Sequence, residues 1–179
     1  MKKKKVNLEL LIITVVIAVS LLYIVFKRSD KVHYEVPEVK KISREAILKV
    51  EIKKGDRIVK LENRKGGWVV GEDAFKPDMD LIEKVKNTIS NLKLTTLIAK
   101  SGNRYKYELD EKRRINVKVF TSKEKALEFN IGKAASTYGH THVQIEGDRN
   151  IYHCSGSIKR DFDKSLDEFR NKVVFERRG

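Results

Sequence analysis

Leu48, Val50 and Ile52 alternate with Lys49, Glu51 and Lys53, the period of two that marks a strand with one buried face. Gly55-Asp56 supplies a turn, and Val59 with Leu61 begins a returning strand on the same rule. Lys65-Gly66-Gly67 turns again into Trp68-Val69-Val70. The pattern predicts a three-stranded meander closed by a tryptophan packed in the core. Pro77-Asp78 then ends the sheet and opens a helix, with Asp78 or Asp80 placed to cap its free amides. Ile82, Val85, Ile89 and Leu92 fall on one stripe of that helix, which should lie on the sheet, while Glu83, Lys84, Lys86 and Asn87 face water.

A short strand is expected over 94–99, followed by a polar, basic connection from Ser101 to Arg114. Alternation resumes with Ile115, Val117 and Val119, and again with Leu127, Phe129 and Ile131 after a turn at 121–125, which makes a second hairpin. A third runs from about Tyr138 to Ile145 and back from Asn150 to Cys154 around Gly147-Asp148. A closing helix is read with Ser157 as its cap and Phe162, Leu166, Phe169 and Val173 as its apolar stripe.

The pattern ahead of these elements is different. Leu10 to Phe26 is almost unbroken apolar sequence behind Lys2, Lys3, Lys4 and Lys5, and counted from Val6 it spans about 20 residues, enough for a hydrocarbon core of roughly 30 Å. A cleavable signal peptide is disfavoured by the length of the run and by the missing small-residue cleavage site before Lys27 and Arg28. An uncleaved signal anchor is expected. The lysines ahead of it hold the N-terminus in the cytoplasm, which sends the remainder to the periplasmic side of a bacterial inner membrane. Asp30 to Lys41, which carries Pro37, reads as a stalk. The expected organisation is therefore an anchor over 1–29, a stalk over 30–44 and an extracytoplasmic domain over 45–179. The expected class is α+β, with a single N-terminal transmembrane helix followed by one domain of antiparallel hairpins and meander packed with two helices.

Charge adds a preference in partners. The chain of 179 residues carries a net +14, which favours anionic neighbours such as lipid headgroups or wall polymers. No aromatic-and-basic stacking pattern accompanies it, so nucleic acid is not expected. Cys154 is the sole cysteine, which excludes an intrachain disulfide; placed inward among apolar residues, it should be inert.

The order of several short motifs carries a resemblance. Gly67-Trp68-Val69-Val70, Tyr107 to Glu111, Asn130-Ile131-Gly132-Lys133, Tyr138, Asn150-Ile151-Tyr152 and Phe169-Arg170-Asn171-Lys172 follow one another along the chain from about Ile47 onward. In this it resembles the bacterial family known as domain of unknown function 4340. The resemblance implies one N-terminal membrane helix, an extracytoplasmic domain and a setting near ABC-type transport or gliding-motility components, and it transfers no catalytic residue. Where such members often read Tyr-Gly-Leu-Asp, this chain has Tyr107-Glu108-Leu109-Asp110.

Tests for chemistry give little. Ser122-Lys123-Glu124-Lys125 and Ser90-Asn91-Leu92-Lys93 spell the S-x-x-K of serine acyl-enzymes, without the companion S-D-N and K-T-G elements. Asp161, Asp163, Ser165 and Asp167 alternate as calcium ligands do, but Leu166 and Lys172 stand where such a loop needs glycine and glutamate. Glycine-rich phosphate cradles, H-E-x-x-H and C-x-x-C do not occur. In the third hairpin a two-residue turn pairs Glu146 with Arg149, Val143 with Tyr152, His142 with His153 and Thr141 with Cys154. His140, His142 and His153 then share the outer face, close enough to be candidate metal ligands, although strand residues facing water explain them as well.

The preferred expectation is a non-enzymatic, membrane-anchored accessory or binding module without cofactor, associated with the bilayer and with ABC transporter permease components. Its working surface would be the outer sheet face and the basic residues Arg104, Lys106, Lys112, Arg113 and Arg114. The alternatives are a metal-dependent hydrolase built on the histidines and a cytoplasmic polyanion-binding domain.

Overall fold

The computed structural model describes residues 8–28, 36–101, 103–122, 124–136 and 139–171, with the side chains of 8 and 25–28 set aside. The chain divides into two compact units, Met1–Glu35 and Val36–Gly179. The first holds α1 (Leu8–Arg28). Its apolar side chains, such as Leu10, Val16 and Leu22, are half exposed or more. Among the described residues, however, no helix is long and apolar enough to cross a membrane. The described side chains of α1 run from 9 to 24, about 24 Å of helix against a core of roughly 30 Å. The expected transmembrane helix is therefore corrected to an exposed apolar helix. The leading lysines, residue 29 and the first part of the expected stalk, residues 30–35, lie outside the described residues.

In the second unit eight strands form one antiparallel sheet: β1 (Ile47–Lys54), β2 (Arg57–Arg64), β3 (Gly67–Val70), β4 (Leu94–Ala99), β5 (Ile115–Thr121), β6 (Glu124–Ala134), β7 (His140–Ile145) and β8 (Ile151–Ser155). Their spatial order is β3-β2-β1-β5-β6-β7-β8-β4. The expected meander and hairpins are present and are joined into one continuous sheet, because β1 pairs with β5 and β6 with β7 through the same apolar alternation that builds each hairpin. Val70, Leu61, Val50, Val119 and Leu127 form one apolar row across five strands; Val59, Ile52, Val117, Phe129 and Ile145 form the next.

That inner face is covered by α2 (Met79–Ser90), which buries Ile82, Val85 and Ile89 and is capped by the Asp78 carboxylate accepting from the amides of Asp80 and Leu81. The closing segment is not one helix but two single turns, α3 (Lys159–Phe162) and α4 (Leu166–Phe169). Ser165 explains the break: its hydroxyl and Glu168 form a reciprocal cap that starts a new helix, and Ile158 rather than Ser157 precedes α3. Phe162 and Phe169 are fully buried as expected, and Val173 lies outside the described residues. The backbone of 76–78 pairs with that of 169–171 through Asp78 N to Phe169 O and Asn171 N to Lys76 O, which fastens α4 to the start of α2.

Two further expectations are revised. Ile42 is buried, and Val36 and Val39 pack on the core, so the folded unit includes part of the expected stalk. Trp68 is only partly buried, because it lies on edge strand β3 with the Lys86 ammonium 5.7 Å above its ring.

Candidate functional site

Topology dictates what covers the other face. β4 lies at the edge beside β8 and β5 lies in the middle of the sheet, so the connection between them must cross β8, β7 and β6. It crosses on the outer face. Gly132 of β6 permits this: a Cβ there would stand 2.2 Å from the Tyr107 carbonyl oxygen and 3.0 Å from the Leu109 side chain. Leu109 is fully buried beneath the crossing. A single 3₁₀ turn, Arg104–Tyr107, starts it, capped by the Asn103 side chain accepting from Tyr105 N. Glu108 follows at φ 55°, the left-handed conformation that favours glycine, and its carboxylate accepts from Lys159 Nζ at 2.8 Å. Arg113 clamps the turn: its guanidinium donates to Asp110 at 2.7 Å and to Tyr105 O at 2.6 Å, and lies 3.7 Å from the exposed Tyr105 ring.

Beside this crossing the outer face is polar and partly sealed. Asn116, Asn130 and Gln144 occupy facing positions on β5, β6 and β7, and all three are buried. Asn116 Nδ2 donates to Asn130 Oδ1 at 3.0 Å and to Glu128 Oε1 at 3.1 Å. Burial opposes the charge on Glu128, but hydrogen bonds from Lys125 and Asn116 and the nearby Lys118 ammonium outweigh it and hold its carboxyl below the usual range. Asn116 of this row lines a cleft of about 700 Å³ together with Lys53, Lys112, Arg114 and Lys118 and with Asp56, Glu111, Glu128 and Glu146. A smaller cleft of about 230 Å³ adjoins it, sharing Arg114 and Glu146 and reaching Arg104 and Arg149. Four cations facing four carboxylates suit a polar ligand that carries both signs or neither.

The histidines meet in the expected register, His142 opposite His153 and Thr141 opposite Cys154; the ladder ends at Val143–Tyr152, so Glu146 and Arg149 flank the turn without pairing in it. His142 and His153 lie ring to ring at 4.9 Å, and His140 and His153 at 5.5 Å. They do not all face water. His142 is buried, with Tyr107 4.9 Å away and its Nδ1 3.1 Å from Lys133 O. Among the described residues no group of three or more His, Cys, Asp or Glu is placed to hold a metal ion. Burial lowers the affinity of His142 for protons, and burial together with the two neighbouring imidazoles does the same for His153.

The remaining motifs have structural work. Ser122 Oγ donates to Thr121 O and Lys125 is taken by Glu128. Asp163 accepts from Lys54 and Arg57 and Asp161 from Thr88, which fastens α3 to β1, β2 and α2, and Asp167 accepts from Arg170 within the α4 turn, so these acids are engaged separately rather than forming a loop of ligands. Burial pushes the Cys154 thiol up to about 11, which leaves it a packing residue.

The basic residues singled out in the sequence divide. Arg104, Lys112 and Arg114 line the clefts, Arg113 is a clamp, and Lys106 lies 5.7 Å from the Tyr107 ring. The buried amides and Arg149 were missed. The signal for the amides was present, since Asn116, Asn130 and Gln144 stand at outward positions of three strands that pair in register, where charged residues would be ordinary.

Set against known proteins, no curated protein and no solved structure matches the chain. A family model does match, over residues 68–178, and its description is domain of unknown function (DUF4340). That span takes in Trp68, the crossing, Gly132, the amide row and α4, and the chain belongs to this family.

Proposed function

We propose that the protein is a non-enzymatic accessory or binding module whose working surface is the outer face of the sheet, between the 104–114 crossing and the β7–β8 turn. The buried amide row carries this reading. A face that merely meets water has no reason to seal three amides at its centre, whereas a recognition surface needs fixed donors and acceptors whose positions are set by the strands beneath. The balanced cleft next to the row supplies charges of both signs for orientation.

The setting belongs to the same proposal. The exposed apolar side chains of α1 call for an apolar cover, and lipid of the bacterial inner membrane on its periplasmic side is the cover we favour. Components of an ABC-type transport complex are the favoured protein partners, by the association implied for the family. The hydrolase alternative has less support, because His142 Nδ1 is engaged by a backbone carbonyl and its ring packs on Tyr107.

The test is purification of the full chain with its partners from native membranes. Lys53→Glu, Lys112→Glu and Arg114→Glu together should remove the partners retained by the parent, and Lys65→Glu with Lys84→Glu, on exposed positions of the β2–β3 turn and α2, should not. Equal retention by both variants would refute the assignment of the surface. Metal in stoichiometric amount in untagged protein would favour the hydrolase.

A further inference from the structure

The smaller cleft contains an unmatched donor. Gln144 is 2 % exposed, and among the described residues its Nε2 amide has no hydrogen-bond partner. The cleft it lines also receives Arg104 and Arg114 from the crossing, Arg149 from the β7–β8 turn, and Asn130. Among the described residues neither Arg104 nor Arg149 has a carboxylate within salt-bridge distance, and the partner of Arg114 is Glu111 at 4.0 Å, itself 90 % exposed.

The two acids of the cleft do not cancel these charges. Asp148 has both oxygens turned to its own hairpin, Oδ1 accepting from Asn150 N at 2.8 Å and Oδ2 from the Tyr152 hydroxyl at 2.6 Å. With Glu146 counted as well, three guanidinium groups against two carboxylates leave one positive charge unmatched. A buried amide donor and several guanidinium groups lining one cleft are the groups that recognise an oxygen pair bearing a single charge.

Resting on the binding-surface reading above, we propose that this cleft seats a singly charged oxyanion, with Gln144 Nε2 as its buried donor and Arg104, Arg114 and Arg149 as its charge partners. The ligand class follows from the junction of the two clefts at Arg114 and Glu146. It is a polar molecule whose terminal oxyanion enters the small cleft while a neutral or zwitterionic remainder lies along the balanced large one. A carboxylate and a phosphodiester share this chemistry, and the test separates them.

The full-length chain, labelled with ¹⁵N, is titrated with sodium acetate and separately with sodium dimethyl phosphate. Sodium chloride holds the ionic strength constant, and the side-chain amide signals of Gln144 are followed. Saturable shifts with at least one of the two probes are expected, and the probe that saturates identifies the source. Arg149→Gln, on an exposed turn, should keep the spectrum of the folded chain and weaken the midpoint about ten-fold, as the loss of one charge-assisted contact does. Shifts that never exceed those in chloride, that rise without saturating, or that survive unchanged in Arg149→Gln would overturn the proposal. Should that happen while the Lys53, Lys112 and Arg114 variant still loses its partners, the oxyanion inference falls and the binding surface stands.

Discussion

His142 and His153 bind protons less readily than a free imidazole, because burial removes the water that would solvate the charge and, for His153, because the other two rings sit beside it. The consequence for stability has a definite sign. Their folded pKa values lie below the unfolded value of about 6.5, so the unfolded chain takes up protons first as pH falls. Stability should be complete above that value, decline as the pH drops through it, and level off below the folded pKa values. Urea denaturation of the full chain between pH 7.5 and pH 5 should show this fall, and His142→Gln with His153→Gln should flatten it. An unchanged slope in that variant would place the acid sensitivity elsewhere. Asp163 acts in a separate window: burial works against its charge, Lys54 and Arg57 outweigh burial, and its contribution is present above the ordinary carboxylate range and lost only as pH falls through its lowered pKa. Glu108 shows another residue-scale exchange, a left-handed backbone that costs a side-chain-bearing residue roughly 1–2 kcal/mol, offset by the ion pair with Lys159.

Among the elements, the crossing of 104–114 over β6 depends on a single missing methyl group. Gly132→Ala would drive a Cβ into the Tyr107 carbonyl oxygen, a backbone atom that cannot rotate away. The crossing must then lift, uncovering Leu109 and Gly132, at a cost of about 1–3 kcal/mol as for other overpacked sites. Chemical denaturation should register that loss, and hydrogen exchange should show it concentrated in 104–114; a variant as stable as the parent would mean the crossing is not held by this contact. The same contact marks how far the sequence could be read. Apolar alternation located β1, β2, β5 and β6, turn residues located β3, β7 and β8, and Asp78 announced α2, because those signals are local. That 101–114 folds back over the sheet is not local: it follows from β4 pairing at the far edge with β8, a contact between residues more than 50 positions apart. Arg113 therefore read as a free cation, although Asp110 and Tyr105 engage it. Likewise, the apolar stripe from Phe162 to Phe169 read as one helix, since the capping box at Ser165 that divides it was passed over.

At the scale of the molecule, the sheet separates two kinds of surface. Its inner face is closed by α2, α3 and α4 around an apolar core, and its outer face presents fixed amides, paired charges and two adjoining clefts. The second offers fixed polar groups next to two adjoining clefts for a partner. The central claim, that this outer face is where the protein works, is tested most directly by placing a photo-activated cross-linking residue at single positions of the full chain in living cells. Lys112, Lys118 and Arg149 report on the outer face, and Lys84 and Lys65 serve as exposed positions elsewhere. Specific cross-linked products from the first three and none from the other two are the result this account predicts. Products of equal yield from both sets, or from Lys84 and Lys65 alone, would contradict it.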